Sequence, residues 1–371
     1  MIKPNPFTPQ SGWEPKIFGG RQEEIKIFKN KLSLAASGKA EHLIVLGQWG
    51  IGKTSLLRYY KKLAQESGFP AALCPIGKFA KGDRTSDGVN LLVEELQRNF
   101  LNQSPARRNS SGETKRKTLQ PQTLLTNTLS DIWANASAPL ILMLLDDVQN
   151  FLAVSGVIDI IRLVLSRDEI LKNTKYLFVL SSTPDGWQLF LDKHDPIGRF
   201  FRERVVLCKL TQQEARSVIK ATLNSSGVEF SDDVIEKAYQ YTQGHPYELQ
   251  LLCSNLYEAQ IEGKVDTKLW QGALENTLRD LGREYFEVLY RQITDREAVP
   301  LQILARSQGP LELKAIEDAL WSKMREFRGY PIRDTKNYIY RLLEKNIVRK
   351  TGRGEYEIFD KMFGEYFLSK L

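Results

Sequence analysis

Length, composition and charge predict an ordinary globular protein with more than one domain. The chain has 371 residues, of which 42% are hydrophobic and 26% charged, enough for two or three domains with full hydrophobic cores. No apolar run approaches the roughly 20 residues that cross a bilayer, and the first residues lack a signal-peptide core, so we expect a cytoplasmic protein without a membrane partner.

The three cysteines and three histidines are scattered along the sequence. This spacing disfavours a disulfide framework or a metal site built from protein ligands alone. Each cysteine lies in apolar surroundings, so we expect all three to be buried and reduced.

Positive charge is concentrated in one segment. Ten Lys and Arg residues lie between Lys323 and Arg353 against three acids, so this segment carries +7, the formal charge of the whole chain. Such focusing favours a polyanionic partner, and a solvated basic surface is the alternative.

The segment GQWGIGKTSLL, Gly47 to Leu57, fits the phosphate-binding pattern G-x-x-x-x-G-K-[ST] without mismatch. Backbone N–H groups of such a loop converge on phosphate oxygens, while Lys53 reaches the β- and γ-phosphates and the Thr54 hydroxyl ligates Mg²⁺. The apolar run before the loop predicts a buried strand, which disfavours a chance glycine turn. The predicted ATP contacts are Gly47, Gln48, Trp49, Gly50, Ile51, Gly52, Lys53, Thr54 and Ser55.

Strands and helices alternate as far as residue 210. Apolar runs at 70–77, 139–149, 174–184 and 204–210 predict further buried strands. The pattern predicts an α/β fold, a P-loop NTPase parallel sheet with helices on both faces, in an ATPase core at 1–210. A polar, basic stretch at 102–121 predicts a flexible surface insertion; its cations (Arg107, Arg108, Lys115, Arg116, Lys117) are candidates for nucleic-acid contact, although a solvated loop is favoured.

Polar groups end the later strands. Asp146 follows an apolar run and is predicted to hold Mg²⁺, and Asp147 to orient or deprotonate the attacking water. Ser181, Ser182 and Thr183 are either γ-phosphate sensors or ordinary strand-end residues. Among the arginines before the last strand (Arg199, Arg202, Arg204), we select Arg202 as a finger that reaches a neighbouring subunit, with surface ion pairing as the alternative. The predicted catalytic residues are Lys53, Asp146, Asp147 and Arg202.

Helical patterns follow from Thr211. Thr211 and Ser231 are predicted N-caps, and Glu214 completes a capping box, in a helical lid domain at 211–283. Helices and then a hairpin around Thr351–Gly354 predict a winged helix-turn-helix at 284–371.

One helix of that last domain has two distinct faces. Tyr338, Ile339, Leu342 and Leu343 share an apolar face, and polar residues occupy the other. The predicted contacts to double-stranded DNA are Arg333, Lys336, Asn337, Tyr340 and Arg341 on the helix and Arg349, Lys350 and Arg353 on the wing. Protein docking by the same domain is the alternative.

The motifs NPFTP, WEPKIFGGRQEE, GQWGIGKTSLL, LLDDV and TQGHPYELQLL together resemble archaeal and bacterial P-loop ATPases of the STAND and AAA+-related class. They are also similar to origin-recognition initiator ATPases with a C-terminal winged helix. The resemblance implies that Phe18, Gly20 and Arg21 lie near the adenine, and that Gly244, His245 and Pro246 lie beside the nucleotide. For the last three, a helix-initiating turn is the alternative, because Pro favours the first helical position.

The second acid is Asp147, where many AAA+ ATPases have Glu, which implies slow, switch-like hydrolysis. We therefore predict a switch that binds and hydrolyses ATP and binds DNA. It would be an initiator, a loader or a transposition-type regulator. We also expect it to form a nucleotide-dependent homo-oligomer or to bind a protein partner. The alternative is a STAND-type signalling or defence ATPase whose C-terminal module binds protein. Such switches usually carry a long repeat sensor, and this sequence has none between the predicted wing and Leu371, which favours the DNA-binding prediction unless a partner chain supplies the sensor. A third possibility is a nucleotide-holding scaffold without useful hydrolysis.

Overall fold

The computed structural model describes residues 3–10, 15, 17–101, 119–154, 156–193, 197–224, 226–323, 327 and 329–371. Most of the predicted basic insertion, residues 102–118 with its five cations, lies outside the described residues. The chain forms two compact units, Gly20–Cys208 and a second that combines Met1–Gly19 with Lys209–Leu371.

Five parallel strands form the sheet of the first unit within the described residues, in the order β2-β3-β4-β1-β5. Every residue of β1, β3 and β4 is buried, as the continuous apolar runs predict for strands covered on both faces. The predicted P-loop sheet is therefore confirmed. The strands are β1 Leu43–Leu46, β2 Ala71–Pro75, β3 Ile141–Asp146, β4 Tyr176–Ser182 and β5 Glu203–Val206.

Helices of the first unit connect these strands and bury their apolar faces against the sheet. They are α1 Gln22–Ala36, α2 Lys53–Glu66, α3 Thr85–Phe100, α4 Pro121–Ala136, α5 Gly156–Leu165, α6 Asp168–Leu171, α7 Pro184–Lys193 and α8 Ile197–Phe200. A 3₁₀ segment, Val148–Val154, follows β3. The loop from β1 to α2 leaves the carboxyl edge of the sheet, where β3 and β4 also end.

The second unit begins with four helices, two of which have the caps expected from sequence. Thr211 and Glu214 form a reciprocal capping box, and the Ser231 hydroxyl accepts a hydrogen bond from the Val234 N–H. The helices are α9 Gln212–Leu223, α10 Asp232–Thr242, α11 Pro246–Glu258 and α12 Trp270–Leu281, with the short strands β6 Glu229–Phe230 and β7 Lys264–Val265.

The amino-terminal segment, Met1–Gly19, groups with this second unit, whereas the predicted ATPase core at 1–210 included it. Phe7 is buried and its ring packs against Phe230 and Tyr257. The Tyr257 hydroxyl donates to the Lys3 carbonyl oxygen at 2.8 Å. The packing of aromatic residues that are far apart in sequence produces this grouping, so no local sequence pattern predicts it.

The carboxyl-terminal part of the second unit runs helix, helix, strand, helix, helix, hairpin, helix. The predicted hairpin is present, with β9 antiparallel to β10, and β10 also pairs with β8. These elements are α13 Glu287–Tyr290, α14 Asp295–Arg306, β8 Leu311–Glu312, α15 Leu313–Ser322, α16 Thr335–Glu344, β9 Val348–Gly352, β10 Glu355–Ile358 and α17 Lys361–Ser369. One continuous hydrophobic cluster joins them to the four preceding helices.

Among the described residues, no single helix is long and apolar enough to cross a bilayer; the bent pair Val148–Val154 and Gly156–Leu165 meets that criterion only when taken together. Cys74 and Cys253 are buried as expected, but Cys208 is exposed. The expectation for Cys208 is wrong because residues after β5 alternate in exposure, and its neighbour Leu207 takes the inward position.

Candidate functional site

The loop after β1 has the conformation that its glycines permit. Gly50 (φ 70°) and Gly52 (φ 98°) lie in the left-handed region, which residues with a Cβ rarely adopt. At Gly47 a Cβ would lie 2.5 Å from Ile51 Cγ2 and 3.3 Å from Leu207 Cβ. The three glycines therefore allow a tight loop whose N–H groups can surround an anion at the start of α2.

Lys53 is the first residue of α2 and is 8% exposed. Its ammonium donates to the Gln48 carbonyl oxygen of the same loop at 3.2 Å. Burial lowers the pKa of Lys53, and the nearby Asp147 and Asp146 carboxylates oppose this change. A desolvated cation at the mouth of the loop is suited to bind phosphate.

Asp146 ends β3 and is 4% exposed. The Thr54 hydroxyl donates to Asp146 Oδ2 at 2.7 Å, and the Ser181 hydroxyl donates to Oδ1. Burial raises the pKa of Asp146 despite these two hydrogen bonds. The structure thus brings together the two predicted metal ligands, Thr54 from the phosphate-binding segment and Asp146 from the end of β3.

These two oxygen donors fit a magnesium ion that takes most of its ligands from phosphate and water. Among the described residues no group of three or more His, Cys, Asp or Glu side chains is placed to hold a metal by itself. The site therefore suits a metal that arrives with the nucleotide.

Asp147 is a non-glycine residue with φ 58°, directly after β3. Its N–H donates to the Ser181 hydroxyl at 2.9 Å, and its Oδ1 accepts from Gln149 Nε2 at 3.0 Å. The hydrogen bond from Gln149 orients the Asp147 carboxylate. This geometry is compatible with the predicted contact to a water molecule.

The predicted sensor residues have different surroundings. The Ser181 hydroxyl donates to the Asp146 carboxylate and accepts from the Asp147 backbone N–H, so it positions both residues. Ser182 is fully buried and its hydroxyl has no hydrogen-bond partner among the described residues. Thr183 accepts from the Gly186 N–H at 3.1 Å, which caps the start of α7. Of the three, Ser182 has the hydroxyl left over for a ligand.

Arg21 lies at the phosphate-binding loop. Its Nη2 donates to the Ile51 carbonyl oxygen at 3.1 Å, in buried surroundings. The resemblance implies a place near the adenine for Arg21 and Gly20; the observed partner of the guanidinium is the loop backbone.

Phe18, Gly244, His245 and Pro246 belong to the second compact unit, so their contact with nucleotide stays a prediction. Pro246 is the first residue of α11 and His245 its N-cap, with Nδ1 accepting from the Glu248 N–H at 3.5 Å. The helix-initiating role of this element is therefore observed.

Arg202 is exposed and immediately precedes β5. Leu43 pairs with Glu203, so Arg202 lies at the amino edge of the sheet, whereas the phosphate loop leaves the carboxyl edge. The four-residue strand spans ~13 Å, beyond the reach of the side chain. Arg202 thus cannot reach the nucleotide site of its own subunit.

All eight residues predicted to contact DNA are exposed, and the apolar face of α16 is buried at Tyr338, Ile339 and Leu342. One of the eight already has an ionic partner: Arg349 donates to Glu357 Oε1 from Nε at 2.7 Å and from Nη2 at 2.6 Å. Lys345, from the same basic segment, pairs with the buried Glu297 at 2.6 Å, so it has a structural role.

Sequence reasoning missed two functional contacts. Gln149 orients Asp147. The sequence indicates this contact only by placing an amide side chain two residues after the acid. The link between Arg21 and Ile51 joins residues 30 positions apart and had no local signal.

Comparison with known proteins agrees with this geometry. Residues 18–179 match the AAA ATPase domain family. Among curated proteins, none matches this sequence.

Solved structures match over nearly the full length. A Walker-type ATPase of Pyrococcus abyssi aligns with a TM-score of 0.65 and 16% identity, over 98% of this chain and 99% of its own. The ORC2 protein of Aeropyrum pernix, in ADPNP–ADP complexes, aligns at 0.64 and 12%, over 100% and 99%. The ORC1 protein of the same organism, in complex with DNA, aligns at 0.52 and 17%, over 100% and 97%. At these identities the likeness is one of fold.

Proposed function

We propose that the chain, whose residues 18–179 match the AAA ATPase domain family, is an ATPase that acts as a nucleotide-dependent switch and binds duplex DNA through a C-terminal winged helix-turn-helix. The switch belongs to the initiator, loader or transposition-regulator kind. Residues 284–371 form the DNA-binding domain in this proposal, and 211–283 form the lid.

Nucleotide handling follows from the site. The loop N–H groups and Lys53 hold the phosphates, and Asp147 accepts a proton from the attacking water. Thr54 and Asp146 would hold Mg²⁺, which would supply positive charge to offset the phosphate oxygens. Asp147 has a short side chain on a constrained turn, which supports slow hydrolysis and a long-lived ATP state.

The order of elements supports a winged helix. Strand β8, helices α15 and α16, and the β9–β10 hairpin follow one another, and the three strands form one antiparallel sheet. In this arrangement α16 is the recognition helix and the hairpin is the wing.

One observation carries the DNA proposal. The face of α16 that turns away from the core presents Lys336, Asn337, Tyr340 and Arg341 together, while Tyr338, Ile339 and Leu342 anchor the opposite face. Amide and guanidinium donors on an exposed helix are the groups that read base edges in the major groove and contact the phosphates beside it. The ORC1 neighbour was solved in complex with DNA, which supports the same reading for a chain of this fold.

A salt titration of duplex DNA tests the proposal. If Lys336, Arg341, Arg349, Lys350 and Arg353 all contact phosphates, the log–log slope of affinity against salt is on the order of −4 to −5 in the full chain. Replacing Arg349, Lys350 and Arg353 with Gln flattens it by about 2 to 3 units. The charge-matched control changes the exposed lysines Lys26, Lys264 and Lys268 to Gln, and leaves the slope unchanged.

One observation favours the alternative, a signalling or defence ATPase that docks a protein. Trp321 on α15 is 54% exposed, and exposed tryptophans are enriched in protein interfaces. Absence of duplex binding at low salt by the ATP-bound full chain would replace the DNA proposal with this one.

A further inference from the structure

A phosphate-binding loop needs partners for its carbonyl groups as well as its N–H groups. In a trans peptide the carbonyl of one residue and the N–H of the next point in opposite directions, and no cis peptide occurs in the described part of the chain. When loop N–H groups point at phosphate, the adjoining carbonyls therefore point into the protein. There they need a donor, because a buried carbonyl without a hydrogen bond loses its solvation without compensation.

Arg21 is that donor for the peptide between Ile51 and Gly52. Arg21 is 8% exposed and Ile51 is 4% exposed, and the guanidinium Nη2 lies 3.1 Å from the Ile51 carbonyl oxygen. The other arm of the guanidinium, Nη1, lies 3.5 Å from Glu24 Oε1. The Glu24 carbonyl in turn accepts from the Tyr60 hydroxyl on α2 at 2.8 Å, so α1 is tied to the helix that follows the loop.

The backbone at Arg21 is strained. Its φ is 90°, in the left-handed region, and it follows Gly20 at φ 67°. A non-glycine residue in this region is strained and persists only when its surroundings fix it. The buried side-chain contacts of Arg21 fix it here.

We propose that Arg21 is a positioning residue of the ATPase site, which holds the Ile51–Gly52 peptide so that the Gly52 N–H faces the β-phosphate. Gly52 adopts either sign of φ readily, so without the guanidinium this peptide rotates and the loop loses one converging N–H. This role of Arg21 rests on the proposed nucleotide-binding function of the loop and is independent of DNA binding.

Three substitutions in the full chain test it: Arg21→Gln, Arg21→Lys and Arg21→Gly. The measurements are the Kd values of ADP, GDP and inorganic triphosphate, each with Mg²⁺, and the urea unfolding of each nucleotide-free variant. The control is Arg84→Gln, because Arg84 also precedes a helix, α3, but its side chain is 82% exposed.

Arg21→Gln should weaken all three ligands by the same factor, roughly 10- to 100-fold, because the loop recognises phosphate and not the base. Arg21→Lys keeps a charged donor and should recover part of the loss. Arg21→Gly removes the backbone strain, so its unfolding midpoint should equal or exceed that of Arg21→Gln while its phosphate affinity stays low. Arg84→Gln should match the parent.

Three results would overturn the proposal. The first is parental affinity of Arg21→Gln for all ligands. The second is parental affinity for inorganic triphosphate with a changed ADP-to-GDP ratio, which would place Arg21 at the adenine. The third is an affinity loss that follows the unfolding midpoint across the three variants, which would make the role purely structural.

Discussion

Buried charges of both signs meet at the nucleotide site. Burial lowers the pKa of Lys53 and raises the pKa of Asp146, so each side chain is charged at a cost in solvation. An incoming phosphate compensates Lys53, and a cation compensates Asp146. Binding of both partners would therefore offset part of the solvation cost of these two buried charges.

Asp147→Asn should trap the ATP-bound state. Asparagine keeps the size and hydrogen bonds of Asp147 and tolerates φ 58°, but it cannot accept a proton. We expect single-turnover hydrolysis to slow by roughly 10²- to 10⁴-fold with ATP affinity retained. The control is Asp168→Asn, an exposed acid; an unchanged hydrolysis rate in Asp147→Asn would assign the water contact to another residue.

His42 should make stability depend on pH. Burial lowers its pKa from 6.5 to about 4, and its Nδ1 accepts from the Phe178 N–H at 3.2 Å. The folded-state pKa is the lower one, so the unfolded chain binds more protons below pH 6.5, and stability is complete above 6.5 and lost as pH falls toward 4. The loss between pH 7 and pH 5 is about 2 kcal/mol.

His42→Asn tests this effect, because the amide oxygen can accept the same hydrogen bond and does not titrate. Urea unfolding at pH 7 and pH 5 measures the difference. The parent should lose about 2 kcal/mol more than the variant over this range. Equal losses would mean that His42 titrates alike in the folded and unfolded chain.

At the scale of elements, the β9–β10 hairpin is less basic than its sequence indicates. Arg349 on β9 is neutralised by Glu357 on β10, with which it is paired in register. An exposed ion pair contributes little stability, but it competes with any phosphate for the same guanidinium. In the proposed DNA complex, Lys350 and Arg353 are therefore more available for phosphate contact than Arg349.

Glu357→Gln should strengthen duplex binding. It frees Arg349 from the competing ion pair and steepens the log–log salt slope by at most about 0.9, the contribution of one full phosphate contact. Glu355→Gln removes the same charge from the same hairpin without freeing Arg349, so it should raise affinity less and keep the slope. Identical slopes for the two variants would show that Arg349 does not contact phosphate.

The predicted finger role of Arg202 requires an assembly of the whole molecule with a second copy. Arg202 lies at the sheet edge away from the phosphate loop of its own subunit, beside Glu41. We expect Arg202→Ala to leave ATP affinity intact and to reduce turnover only at concentrations where the protein assembles. The control is Arg98→Ala, an exposed arginine of the same unit; an equal loss in strictly monomeric protein would indicate a structural role for Arg202.

The sequence by itself determined the features that repeat over a few residues. The glycines and Lys53, the acids after an apolar run, the caps at Thr211 and Ser231 and the two faces of α16 follow from loop chemistry, helical period and local hydrogen bonding. Together these patterns predicted the parallel sheet and the composition of the nucleotide site.

Contacts between residues that are distant in sequence depend on tertiary packing and could be read only from the structure. It placed β1 between β4 and β5, set Ser181 between Asp146 and the Asp147 N–H, and brought Arg21 to Ile51. It also joined Phe7 to the second unit. Strand order and long-range hydrogen bonds depend on how whole faces pack, and a local pattern does not record which face of one element will meet another.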